Sequence, residues 1–357
     1  MAVYRIDGYT LTLDMVEQFL RDPAPHTELT EEARERCARS RAQVDRWLME
    51  GAPAIYGVNT GLGALKGVPV SAKDHIAWNN TIAYPHAAGF GDYLPPRLTL
   101  LALMMRANVL AQSYAAVRPA LIQRLLDVVN AGVAPAVRAQ GSRGLSDLGP
   151  LAQCVLAITG KEDAFAFYQG ELMSAPQALR AAGLEDSFVL ECKEALAMIN
   201  GSTMTQAIAV DAWLRLRTLL PRCLPLLAPD RAEAIRETMD WIGGMLELEN
   251  NITCDNPLLF EVENGEYEAV MGCNCSNTQV GYAMDLMSVI LAELGKKAAP
   301  DRPILWQRLA TLAMQVSADS IPTTGGQEDH VEFSYTAAEK ASEAVTVLET
   351  MLGVSAV

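Results

Sequence analysis

Basic charge is scarce in this chain. Its 357 residues carry 28 Lys and Arg against 43 Asp and Glu, a formal net charge of −15. A surface of that sign repels phosphate backbones and anionic bilayers, so no nucleic acid and no membrane is expected as a partner. It sets no limit on a small-molecule substrate, which responds to local charge. Long hydrophobic runs are also missing. The most apolar stretch, Leu98 to Met105, is broken by Arg106 well short of a bilayer span. Met1 to Gly8 lacks the basic region and apolar run of a targeting segment. Cysteines number seven, an odd count at irregular spacing, which argues against a disulfide framework and for a reduced, cytoplasmic protein. Cys273-Asn274-Cys275 has no second cysteine pair or histidine at ligand spacing, so no metal is expected.

What is present is apolar and helical. Half of the residues are hydrophobic, enough for a large core. Helical periodicity predicts segments near 30–51, 73–83, 97–113, 118–131, 149–159, 174–182, 192–220, 230–248, 278–297, 301–317 and 335–352. The stretches 98–110 and 280–294 are apolar on all sides and belong in the middle of a bundle or in a subunit interface. Strand signal is sparse, the best being two short runs at 258–262 and 266–270 flanking Asn264-Gly265, a hairpin pattern. The chain divides softly into 1–190, with the glycine-rich loops, and 191–357, with long bundle helices. Together they read as one continuous domain.

Several loops carry chemistry-bearing residues. Tyr56-Gly57-Val58-Asn59-Thr60-Gly61-Leu62-Gly63 is rich in glycine but lacks the Lys-Ser/Thr pair of a phosphate cradle. Left to itself it is a surface turn, or a loop whose glycines allow close approach to a ligand. Pro85-His86-Ala87-Ala88-Gly89 sets one of only four histidines in a second glycine-rich loop. The bland alternative there is a histidine bonded to backbone. Asn200-Gly201 is either a helix break or a site amide. Gln327-Glu328-Asp329-His330 sets amide, carboxylate and imidazole side by side, though adjacent residues rarely converge on one ion.

Taken in order, these segments resemble one family. Gly141-Ser142-Arg143-Gly144-Leu145-Ser146-Asp147-Leu148-Gly149-Pro150-Leu151-Ala152 resembles the prosthetic-group loop of the aromatic amino acid ammonia-lyases, the histidine ammonia-lyase family. That loop runs Gly-Ser-Val-Gly-Ala-Ser-Gly-Asp-Leu-Ala-Pro-Leu-Ala. The loop at 56–63, the His86 loop, Lys193 to Ser202, Cys254-Asp255-Asn256-Pro257-Leu258 and Gly326 to Val331 match five further family motifs. The resemblance covers roughly residues 50–335. It implies a mainly α fold, an elongated helical bundle of the aromatic ammonia-lyase and fumarase–aspartase type with a little β hairpin. It also implies a homotetramer whose active sites draw on several subunits.

The resemblance assigns catalytic roles to Tyr56, Ser146, Asn200 and Glu328. It places Asn59, Gly63, His86, Arg143, Leu145, Asn256 and Gln327 around the substrate. Tyr56 matches the family's acid/base tyrosine, which takes the substrate's β-proton. A free phenol ionises near pH 10, roughly, so this role needs neighbours that support negative charge.

The chain departs from the pattern at the family's chemical centre. In the family, Ala-Ser-Gly cyclises to a methylidene-imidazolone (MIO), an electrophile made from backbone. Here Leu145-Ser146 is followed directly by Asp147, and the glycine is gone. Cyclisation needs the amide nitrogen after the serine to attack the carbonyl before it, and β-carbons hinder that backbone. The expectation is therefore no cofactor and no self-derived MIO from Leu145-Ser146-Asp147. Between Asn200 and Asp255 the chain is also far shorter than the family. The segment lost includes a Tyr-Ser-Leu-Arg run whose arginine grips the substrate carboxylate. Arg143 is a candidate substitute, or a solvent-facing loop residue.

The expected function is MIO-independent elimination, conjugate addition or isomerisation on a small amino-acid-like substrate, with Tyr56 as base. Two alternatives stand beside it. One is an MIO-dependent ammonia-lyase or aminomutase acting on histidine or an aromatic amino acid. The other is a non-catalytic homologue that serves as an assembly partner.

Overall fold

The structure, a computed structural model, describes residues 3–49, 51–142, 144–272, 274–317 and 333–354. Strand β1 (Val3–Ile6) is followed by helix α1 (Leu13–Arg21) and strand β2 (His26–Leu29), and the two strands pair in parallel. Helix α2 (Glu31–Trp47) starts at Thr30, whose hydroxyl accepts from Ala33 N, with Glu31 and Glu32 in the first turn against the positive end of the helix dipole. Helix α3 (His75–Ile82) precedes β3 (Phe90–Tyr93). Helix α4 (Pro96–Ala111) begins with proline, whose missing N–H is harmless there, and is buried on almost every side. After α5 (Pro119–Asn130) come β4 (Ala134–Pro135) and β5 (Arg138–Gln140), the latter paired with β3. Helix α6 (Leu148–Ile158) follows the serine loop. Strands β6 (Phe165–Tyr168) and β7 (Glu171–Ser174) complete a three-stranded sheet with β4, and α7 (Ala175–Ala181) follows.

Helix α8 (Glu194–Ile199) is short, and all six of its residues are buried. Two long helices follow, α9 (Thr203–Cys223) and α10 (Pro229–Glu249). Strands β8 (Leu258–Glu261) and β9 (Tyr267–Val270) form the hairpin expected around Asn264-Gly265, with Leu258 opposite Val270. Helices α11 (Thr278–Ala298), α12 (Pro303–Met314) and α13 (Ser334–Leu352) close the described chain.

Contacts group these elements into two compact units, Met1–Met204 with Asn250–Ser276, and Thr205–Glu249 with Asn277–Val357. The first holds the loops and small sheets. In the second, α11 packs on α12 and α13. Arg215 on α9 donates from Nε (2.9 Å) and Nη2 (2.5 Å) to the two carboxylate oxygens of Glu349 on α13.

One expectation needs correction. The helix predicted over 192–220 is broken. Asn200 ends α8 with ψ 94°, and Gly201 and Ser202 turn the chain before α9. The physical reason is local: Gly201 has φ +157°, a conformation that side-chain-bearing residues rarely adopt, and a Cβ there would also lie 2.2 Å from Arg106 Nη1. The stretch 280–294, expected in the middle of a bundle or in a subunit interface, leaves part of its apolar surface exposed in the single chain. Tyr282, Leu286 and Val289 are 60%, 39% and 50% exposed. The stretch 98–110 does lie in the core, with Leu100 alone half-buried. Cys37 and Cys192 are buried too, and burial pushes both thiols up to about 12, which keeps them protonated.

Candidate active site

The motif loops of the first unit meet on α8. Its N-terminal end is set by charge. Lys193, at φ +68°, is fully buried and pairs with the equally buried carboxylate of Asp255. Glu194 accepts from Arg118 at both oxygens, Nε to Oε1 and Nη2 to Oε2, each 2.7 Å. Burial opposes the Arg118 charge, but hydrogen bonding to Glu194 and the charges of Glu194 and Glu191 outweigh it, so its pKa is raised. Helix α3 docks through Asn79, whose side-chain oxygen accepts from Ala195 N (3.4 Å).

The tyrosine loop packs on the middle of α8. Gly57 has φ +70°, and a Cβ there would lie 2.5 Å from Leu196 Cδ2, so position 57 requires glycine twice over. Gly63 N donates to Tyr56 Oη at 3.1 Å. This N–H orients the phenol and directs positive charge at its oxygen. Asn59 serves the loop itself. Its Nδ2 donates to Trp47 O (3.0 Å) and Pro53 O (2.9 Å), and its Oδ1 accepts from Ile55 N (2.7 Å). A cavity of about 450 Å³ lies along this loop, lined by Trp47, Asn59, Thr60 and Lys66 among others, and not by Tyr56.

His86 closes α3. Its Nδ1 lies 2.9 Å from Ile82 O. A carbonyl only accepts, so Nδ1 is the donor in this contact. The His86 loop touches the serine loop directly. A Cβ on Gly141 would lie 2.6 Å from Ala88 O, and one on Gly149 would lie 2.6 Å from Gly141 O.

The serine loop joins the C-terminal end of α8. Gly144, Leu145 and Ser146 have φ of +80°, +48° and +73°. Two consecutive non-glycine residues in the left-handed region are strained, on the order of 1 kcal/mol or more each. A loop one residue shorter than the family's must turn more tightly to reach α6. Asp147 N then donates to Gly201 O at 2.8 Å, and Asp147 is fully buried. Ser146 is 1% exposed, and its hydroxyl has no hydrogen-bond partner among the described residues.

Asn200 and Asn256 meet at the same end. Asn200 Nδ2 donates to Asn256 O (3.1 Å), and Asn256 Oδ1 accepts from Gly272 N (3.3 Å). The Asn256–Pro257 bond is cis. Of the predicted site residues, Tyr56, Asn59, Gly63, His86, Leu145, Ser146, Asn200 and Asn256 all lie on loops of this one unit. Arg143, Gln327 and Glu328 lie outside the described residues. Sequence reasoning passed over Arg106, Lys193, Glu194 and Asp255. The signal available was that Lys193, Glu194 and Asp255 stand inside the motif stretches, and Arg106 breaks an apolar run, so all four are charged where apolar neighbours dominate.

Comparison with known proteins shows the family. The family described as aromatic amino acid lyase matches residues 11–228, 222–300 and 303–357. The chain belongs to the aromatic amino acid lyase family. It is 28% identical to a histidine ammonia-lyase of Caldanaerobacter subterraneus subsp. tengcongensis over 446 aligned residues, covering 98% of this chain and 85% of that one. Among solved structures it is similar to histidine ammonia-lyase from Trypanosoma cruzi, with TM-score 0.86, 24% identity, and 98% and 82% of the two chains covered. It is also similar to the ergothioneine degrading enzyme ergothionase from Treponema denticola, with TM-score 0.88, 18% identity, and 99% and 88% covered. An alignment of 446 residues exceeds the 357 of this chain, and the family match is interrupted near 222–228 and again near 300–303.

Proposed function

We propose that the protein is an MIO-independent lyase that eliminates a nitrogen leaving group from a small amino-acid-like substrate, with Tyr56 as the base. In the forward step the Tyr56 phenolate takes the β-proton. The C–H pair becomes the Cα=Cβ bond, and the Cα–N pair leaves with the amine. Asn200 and the amides of the 141–147 loop would orient the substrate and support the developing anion, and Gln327 would join them. One observation carries the reading. The nitrogen that ring closure would require belongs to Asp147, a branched and fully buried residue, and its N–H already donates to Gly201 O at 2.8 Å. Leu145-Ser146-Asp147 is thus a poor fit to the imidazolone, and no step here runs through one.

Without an electrophile to activate it, ammonia is a poor leaving group. A quaternary ammonium, which departs as a neutral amine, suits this site better. The likeness to an ergothioneine degrading enzyme supports that choice, since ergothioneine is a trimethylammonium betaine of a histidine derivative. The homotetramer belongs to the same reading. It is supported by the exposed apolar stripe of Tyr282, Leu286 and Val289 at helical spacing on α11.

The test compares L-histidine with its Nα-trimethyl betaine. Release of trimethylamine from the betaine, with no ammonia from histidine, is expected. Ammonia from histidine at a comparable rate would overturn the proposal and favour the second reading, an MIO ammonia-lyase acting on histidine. That second reading has its own support in the buried, unpartnered hydroxyl of Ser146, which dehydration would remove.

A further inference from the structure

Arg106 projects from α4 into the junction of three site segments. Its side chain is fully buried. Nη2 donates to Asn200 O at 2.7 Å and to Ala197 O. Nη1 donates to Cys254 O at 3.2 Å and contacts Cys254 Sγ at 3.3 Å. No carboxylate lies within ion-pair distance among the described residues, and Nε has no partner. A guanidinium held by carbonyls and one thiol is not there as half of a salt bridge. Its planar fork spans acceptors on separate segments, here the end of α8 and the turn before cis-Pro257. Gly201 is the contact through which this reaches the serine loop. Its missing side chain makes room for Nη1, and its carbonyl holds Asp147 N.

We propose that Arg106 is a positioning residue. It fixes the Asn200–Gly201 turn against the Cys254–Pro257 turn, and through Gly201 it sets where the Ser146–Asp147 peptide sits. The role rests on the lyase reading above, in that Asn200 and the 141–147 amides face the substrate. A fork bridging two turns and a missing Cβ beside it form one device, so disturbing either part should displace the same groups.

The test is a double-mutant cycle of Arg106→Lys and Gly201→Ala in the full chain. Lysine keeps the charge but lacks the fork, whereas alanine keeps the fork and pushes it away. With the trimethyl betaine as substrate, each single variant should lose about 100-fold in kcat with little change in KM, the scale of a catalytic group displaced by about 1 Å. The double variant should be no worse than the poorer single. Hydrogen exchange at the Asp147 amide should quicken in both singles, a readout that needs no turnover. Losses that multiply in the double variant would overturn the proposal, as would unchanged Asp147 exchange in Arg106→Lys. If the betaine is not turned over at all, the lyase reading fails by itself. The exchange result then decides the positioning role, with faster exchange supporting it and unchanged exchange overturning it.

Discussion

Tyr56→Phe is expected to lower kcat by roughly 10³-fold, within the range for losing a positioned acid or base, while leaving thermal stability nearly unchanged. The second half of that expectation follows from the geometry. The phenol oxygen accepts from Gly63 N at 3.1 Å, and Gly63 is exposed, so water replaces the lost acceptor. Tyr56 is itself only half-buried, and the phenylalanine ring fills the same volume. The variant therefore separates chemistry from folding. Kinetics with the trimethyl betaine, alongside a melting curve, check it. A variant with wild-type kcat would remove Tyr56 from the role of base.

Lys193→Met is expected to destabilise the first unit by about 3–5 kcal/mol, because it leaves the buried Asp255 carboxylate without a counter-charge, held only by the Asn256 N–H. Both partners of this pair have no exposed side-chain surface. Methionine has similar length and meets the same φ of +68° at position 193. The loss therefore reports the pair and not the backbone. Pairing Lys193→Met with Asp255→Leu should recover much of it, since two apolar side chains replace two charges. Urea unfolding of the three variants tests this. A single-variant change below about 1 kcal/mol would mean that Asp255 finds another partner or is not buried in solution.

The fold was legible where patterns are long. The period of α4, α5, α10 and α13 stands out because each presents a sustained apolar set, and the β8–β9 hairpin follows from Asn264-Gly265. The elements passed over were those whose partners are remote or whose length is small. Strands β1 and β2 are four residues each and are defined only by pairing across α1, an element the sequence reading also left unassigned. The division of the chain by position alone does not convey that residues 250–276 return to the first unit.

Within the site, the motif resemblance named residues on loops of the first unit, but not how each is held. Asn59 was taken as a substrate contact, whereas both of its N–H groups are bound to Trp47 O and Pro53 O. Nothing in Tyr-Gly-Val-Asn distinguishes an amide aimed at a ligand from one that holds its own turn. The break at Asn200-Gly201 is one of the two readings the dipeptide offers, whereas the packing of Arg106 against Gly201 from almost a hundred positions away leaves no local signal.

The most direct test of the account is the intact mass of the purified protein. Closure of Leu145-Ser146-Asp147 into the imidazolone would remove two waters, whatever the substrate. The account predicts the unmodified mass of the chain together with activity that depends on Tyr56. A mass lower by two waters, mapped to the peptide holding Ser146, would contradict it.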